Sequence, residues 1–142
     1  MADREQLSTQ NSVYRVGKTT TRPAGEWSGS IHRLLRFFEE KGLRVPHPIG
    51  IADGIETLEY IEGEFVSPYR WTDESLFAVG QMTAQLHRAA EDFPVLPDDR
   101  WKPWCLREIG GNPRVYSHGD LAPWNMVTGN GMPKALIHWG YA

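Results

Sequence analysis

The stretch Ser117-His118-Gly119-Asp120-Leu121-Ala122-Pro123-Trp124-Asn125 constrains this chain more than any other, because it sits between two short apolar runs, Val115-Tyr116 before it and Met126-Val127 after it. A third run, Ala135-Leu136-Ile137, leads into His138 and Trp139. A carboxylate (Asp120) and a carboxamide (Asn125) five residues apart on a loop held by strand-like flanks can bring one oxygen to an acceptor hydroxyl and another to a metal ion. Asp120 is therefore the first candidate for a chemical role. The bland reading of the same residues is local: an Asp after Gly can steady a turn through its own backbone, and an Asn can cap the entry to a strand.

The chain's 142 residues suit one domain of ordinary size. A net charge of −3 supplies no basic surplus for nucleic acid or anionic membrane, and neither is expected as a partner. No apolar run approaches the roughly 20 residues a membrane span needs, and the polar start is not a signal peptide. Cys105 is the single cysteine, so no intrachain disulfide can form, which suits a cytoplasmic location.

Residues 1–12 hold almost nothing to bury and read as a disordered arm. Val13–Val16 and Thr19–Arg22 read as a hairpin about Gly17-Lys18, and Ile49–Ala52 with Ile55–Ile61 as a second hairpin about Asp53-Gly54. Between them Ile31, Leu34, Leu35 and Phe38 recur at helical spacing, with Ser28 as cap and Gly42 as stop. A second helix is expected from about Asp73 to Ala90, capped by Thr72 or Asp73 and burying Leu76, Phe77, Val79, Met82 and Leu86. Residues 91–114 read as a long loop with short helical turns. Val115-Tyr116, Met126-Val127 and Ala135–Ile137 are expected as short strands, the last two joined through Gly129-Asn130-Gly131.

The spacing of histidine, aspartate two residues on and asparagine five beyond matches the protein-kinase catalytic loop. His118-Gly119-Asp120-Leu121-Ala122-Pro123-Trp124-Asn125 resembles more closely the loop of the aminoglycoside phosphotransferase family, small-molecule kinases related to protein kinases. Gln85-Leu86-His87 similarly resembles that family's helix ending in Leu-His. The resemblance implies an α+β, protein-kinase-like fold: an N-terminal sheet-plus-helix lobe over residues 13–61 and a C-terminal lobe over 62–142, shortened because family members continue into further helices. It implies ATP and Mg²⁺ or Mn²⁺ as cofactors and a small-molecule substrate. Asp120 would be the base and Asn125 a metal ligand; the strand end Glu59-Tyr60-Ile61 would hold the adenine. Arg22 stands roughly where a kinase places its phosphate-binding lysine, although an ordinary surface arginine fits the sequence too. His118 would bond to the loop backbone.

One position departs from the pattern: where the family places its second metal ligand, an aspartate, this sequence has His138. Mg²⁺ is small and hard and prefers oxygen, whereas imidazole is a neutral, softer nitrogen better suited to Zn²⁺, Mn²⁺ or Fe²⁺. Losing the carboxylate is expected to weaken or abolish phosphoryl transfer, by on the order of a thousandfold or more in rate. His118, Asp120 and His138 have the composition of a two-histidine, one-carboxylate triad, and Ser117 could be enlisted in a Ser-His-Asp triad, but neither the fold nor a nucleophile elbow supports them. Trp124 and Trp139 read first as packing residues, although either could wall a pocket. The alternatives to a weakened phosphotransferase are a catalytically inactive, kinase-like fold whose cleft, walled by Tyr60, Trp124, Trp139 and Tyr141, takes an apolar molecule, and a partner-binding protein. Apolar faces left bare by a short C-terminal lobe would favour a homodimer or other homo-oligomer.

Overall fold

The computed structural model describes residues 3–66, 70–103, 112 and 115–142. Cys105 and much of the loop expected over 91–114 lie outside the described residues. Five strands form one antiparallel sheet in the order β1 (Arg4–Ser8), β2 (Val13–Val16), β3 (Thr19–Pro23), β5 (Ile55–Glu59), β4 (Pro48–Ala52). The turns explain the register. Asp53 and Gly54 have φ of 51° and 72°, the positive values a two-residue hairpin needs to match strand twist, and Gly17 opens the other turn at 61°. A separate two-stranded sheet, the hairpin of β6 (Met126–Gly129) and β7 (Met132–Leu136), closes through Asn130 and Gly131 at 52° and 74°. It is tied to the connector after β5 by Glu64, which exchanges two backbone hydrogen bonds with Thr128 at 2.9 and 2.7 Å.

Helix α1 (Ser28–Glu40) buries Ile31, Leu34, Leu35 and Phe38, as the spacing requires. It stops where Gly42, at φ 79°, lets Gly42 N donate to Glu39 O and Leu43 N to Phe38 O. Helix α2 (Asp73–Ala90) starts on the Thr72 hydroxyl, which accepts from Ser75 N at 3.1 Å. Phe38, Leu58, Leu86, Met126, Leu136 and Trp139 belong to one continuous core, so both helices and both sheets share it.

Four expectations need correction. The supposed arm contains β1: Arg4 to Ser8 pair with β2, because ladder bonds need backbone groups rather than apolar side chains, and the Arg4 guanidinium lies 3.6 Å from the Tyr14 ring centroid. Ser28 does not cap α1; Trp27 occupies that position, and Ser28 Oγ accepts from Gly25 N at 3.0 Å. Leu76 and Phe77 are 53% and 69% exposed, since only the later turns of α2 reach the core. Val115-Tyr116 is not a strand; Tyr116 instead packs its ring on Trp101 and edge-on to Phe93, at 4.3 and 5.4 Å between centroids.

These positions predict a contrast in urea unfolding followed by tryptophan fluorescence. Phe38→Ala should lose about 3–5 kcal/mol, and Phe77→Ser no more than about 0.5 kcal/mol. Equal losses at the two positions would contradict this placement of the core.

Candidate functional site

The 117–125 loop is fixed at three points. Asp120 N donates to His118 Nδ1 at 3.2 Å, so the His118 proton sits on Nε2, which donates to Ile137 O at 2.5 Å. Gly119 has φ 79°, and a Cβ there would collide with the Tyr141 backbone, so the loop can pass only as glycine. Asn125 Nδ2 donates to both Asp120 O and Asp120 Oδ2 at 2.9 Å, while Asn125 O accepts from Ile137 N. The carboxylate and carboxamide are thus locked together, leaving the Asn125 amide oxygen as the atom able to meet a cation.

His138 adopts a left-handed backbone, φ 66° and ψ 50°, at the entry to the single turn Trp139–Tyr141. Burial, then the charges of Arg22 and His118, push its pKa down against the opposing pull of Asp120. It is therefore a neutral imidazole lying between the loop carboxylate and β3. Among the described residues, no three His, Cys, Asp or Glu side chains gather closely enough to hold a metal ion. A neutral amide oxygen and a neutral nitrogen do not make a Mg²⁺ site, which calls for hard anionic oxygen.

Arg22 is neither an exposed surface residue nor alone. Its Nε donates to Glu56 Oε1, and Glu56 Oε2 lies 3.0 Å from His32 Nε2 of α1. Burial alone would raise the Glu56 pKa; the His32 hydrogen bond and the Arg22 charge outweigh it and hold the carboxyl below its usual range. Sequence reading missed Glu56 and His32. The available signal was parity, since Glu56 shares the inward face of β5 with Leu58.

A cavity of about 330 Å³ opens between the five-stranded sheet and the hairpin. Val13, Leu58, Ile61, Val127 and Ile137 make its apolar wall, Tyr60, Phe65 and Trp124 add aromatic rings, and Arg22 and His138 stand together in the lining. Glu59, Tyr60 and Ile61 all border it. The N–H groups of Glu59 and Tyr60 are already committed to His47 O and Lys18 O, so Ile61 offers the remaining one of the three. The Glu59 side chain is engaged by Arg44 through two bonds of 2.7 and 2.8 Å. Of the two readings of Trp139, packing residue and cleft wall, the structure supports the first: it is 2% exposed, donates from Nε1 to Leu136 O and packs against Phe38.

A five-stranded sheet carrying one helix, a connector that runs past an apolar cleft, and a His-Gly-Asp loop feeding a hairpin together define the aminoglycoside phosphotransferase-like kinase fold. Solved structures of this fold superpose over nearly the whole chain. The amicoumacin kinase hAmiN, in complex with AMP-PNP, Ca²⁺ and Ami, matches at TM-score 0.75 with 15% identity, over 98% of this chain and 57% of that one. The gentamicin complex of APH(2")-IIa matches at 0.65 and 13%, over 97% and 64%. The macrolide 2'-phosphotransferase MphH from Brachybacterium faecium matches at 0.61 and 17%, over 99% and 66%. Among curated proteins, the trifolitoxin immunity protein of Rhizobium leguminosarum bv. trifolii is 36% identical over 137 residues, 94% of this chain and 52% of that protein. The chain thus spans about half the length of that relative. No family model matches the sequence.

Burial also depresses the His118 pKa, outweighing its bonds to Ile137 and Asp120. Both rings are held neutral in the fold, while an unfolded chain takes up their protons below about pH 6.5. Stability should therefore fall as pH drops through that value, by up to about 1.4 kcal/mol per pH unit for each ring, with Glu56 adding to the loss in stronger acid. Thermal melts between pH 8 and 5 measure this; a flat midpoint across that range would contradict the buried neutral pair.

Proposed function

We propose that this chain is a kinase-fold protein that binds a small molecule in the cleft, and in which ATP-dependent phosphoryl transfer to a small-molecule hydroxyl is weakened or lost. The observation that carries this reading is the neutral imidazole of His138 beside a loop that otherwise keeps its reactive residues. Asp120, oriented by Asn125, still has the chemistry to accept a proton from a hydroxyl. The apolar wall and Ile61 N–H suit the flat face and edge of a base or another aromatic group. What the residues lack is an anionic grip on a divalent ion, and without it transfer should be slower by on the order of a thousandfold. A cytoplasmic location belongs to this proposal.

The relative at 36% identity favours a second reading, since its name makes it a toxin immunity protein. In that reading the same cleft captures or modifies a toxin, and expressing this chain in a toxin-sensitive strain should raise survival. The exposed Leu76 and Phe77 on α2 support self-association as part of either reading.

Thermal shift with ATP, alone and with Mg²⁺ or Mn²⁺, tests the main proposal. The natural protein should gain nothing when Mg²⁺ joins ATP, and His138→Asp should create that gain along with measurable phosphate transfer. Equal Mg²⁺ responses from both proteins would contradict it. Light scattering should give a mass above the 16.2 kDa of one chain; a strict monomer would remove the homo-oligomer from the proposal.

A further inference from the structure

Helix α2 is buried along one side only. Ser75, Leu86 and Ala90 are its buried residues, and at roughly 100° per residue the opposite side carries, in order, Asp73, Phe77, Gly80, Ala84 and Arg88. Phe77 is 69% exposed there, and Leu76 at its flank is 53% exposed. Gly80 lies in the middle of the helix, where glycine is less favourable than alanine, yet a Cβ on it would meet nothing within 4 Å. Packing within the chain therefore gives no reason for a glycine at that position; a second backbone passing close to it would. The two ends of the face carry opposite charge, Asp73 and Glu74 in the first turn and His87 and Arg88 in the last. Those signs suit the helix's own dipole. Asp73, Glu74 and Arg88 are nevertheless exposed, and among the described residues none of them enters an ion pair.

The pattern is complementary to itself when reversed. A second α2 laid antiparallel, with a twofold axis passing between Gly80 and Gln81, sets Asp73 against Arg88 of the partner subunit, Glu74 against the partner's His87 and Phe77 against the partner's Ala84. A parallel pair would set acid against acid and base against base. From this self-complementarity, and resting on the reading that the chain self-associates, we propose that the outward face of α2 is a dimer interface whose occupant is the same helix of a second copy, running antiparallel. Phe77 fills the space over the partner's Ala84, Gly80 lets the helices approach to about 8 Å between axes, and the two rim contacts between Asp73 and the partner's Arg88 fix the direction. No residue of α2 lines the 330 Å³ cavity, so dimer and cleft ligand do not compete for side chains.

Sedimentation equilibrium over a concentration series tests this, with each variant checked for folding by circular dichroism. Arg88→Glu and Asp73→Arg should each weaken the dimer about tenfold, because each replaces two attractions by two repulsions. Mixing the two variants should restore association, since in the mixed pair every rim contact again joins opposite charges. Gly80→Leu should keep or raise the thermal midpoint of the dilute monomer, where the added side chain meets open space, and weaken the dimer by about tenfold or more. The inference is overturned if Arg88→Glu or Gly80→Leu leaves the dimer's affinity unchanged, or if the mixture associates no more tightly than either variant alone. A natural protein that dimerises despite any of those results keeps self-association and loses this interface; one that stays monomeric at the highest concentration reached loses both.

Discussion

The burial of Trp139 is the constraint on which the site depends. Its ring contacts Phe38 of α1 at 5.4 Å between centroids and His118 of the loop at 4.8 Å, and its Nε1 closes onto Leu136 O at the end of β7. One side chain therefore fastens the N-terminal helix, the 117–125 loop and the hairpin to one another. The residue before it, His138, has a left-handed backbone, with φ 66°.

Charge around that imidazole is arranged differently from what a metal-dependent phosphotransferase needs. The carboxylate that pairs with the β3 cation comes from β5 as Glu56, while α1 contributes a histidine, His32. This makes a three-part polar contact spanning β3, β5 and α1, and among the described residues no buried side-chain nitrogen or oxygen is left without a partner. Fold and chemistry are separate matters at this point: the scaffold is that of a kinase, while the side chains in the cleft have to be read on their own.

Much of the scaffold was legible in the sequence. Period-2 runs closed by Asp53-Gly54 and Asn130-Gly131, and the helical spacing of Ile31, Leu34, Leu35 and Phe38, each state their structure locally. The His-Gly-Asp loop was legible for the same reason, its residues being neighbours in the chain. What escaped depends on partners far apart in sequence. β1 has no apolar pattern and exists because β2 offers a backbone edge; Glu56 acquires its meaning only when Arg22 and His32 arrive beside it; Leu76 and Phe77 have core-like spacing on a helix whose first turns reach past the core. For Trp139 the sequence leaves packing and pocket wall both open, because nothing local distinguishes an indole facing a cleft from one facing Phe38.

The proposal to be tested is that His138 stands where a metal-dependent phosphotransferase needs an anionic magnesium ligand, in a fold that is otherwise kept. A crystal structure grown with AMP-PNP and Mg²⁺ tests it most directly, by showing which atoms surround the ion. The account predicts no magnesium coordinated by Asn125 or His138, with any bound phosphate held by Arg22. An octahedral magnesium bridging the Asn125 amide oxygen and the triphosphate, with the ion seated at His138, would contradict it.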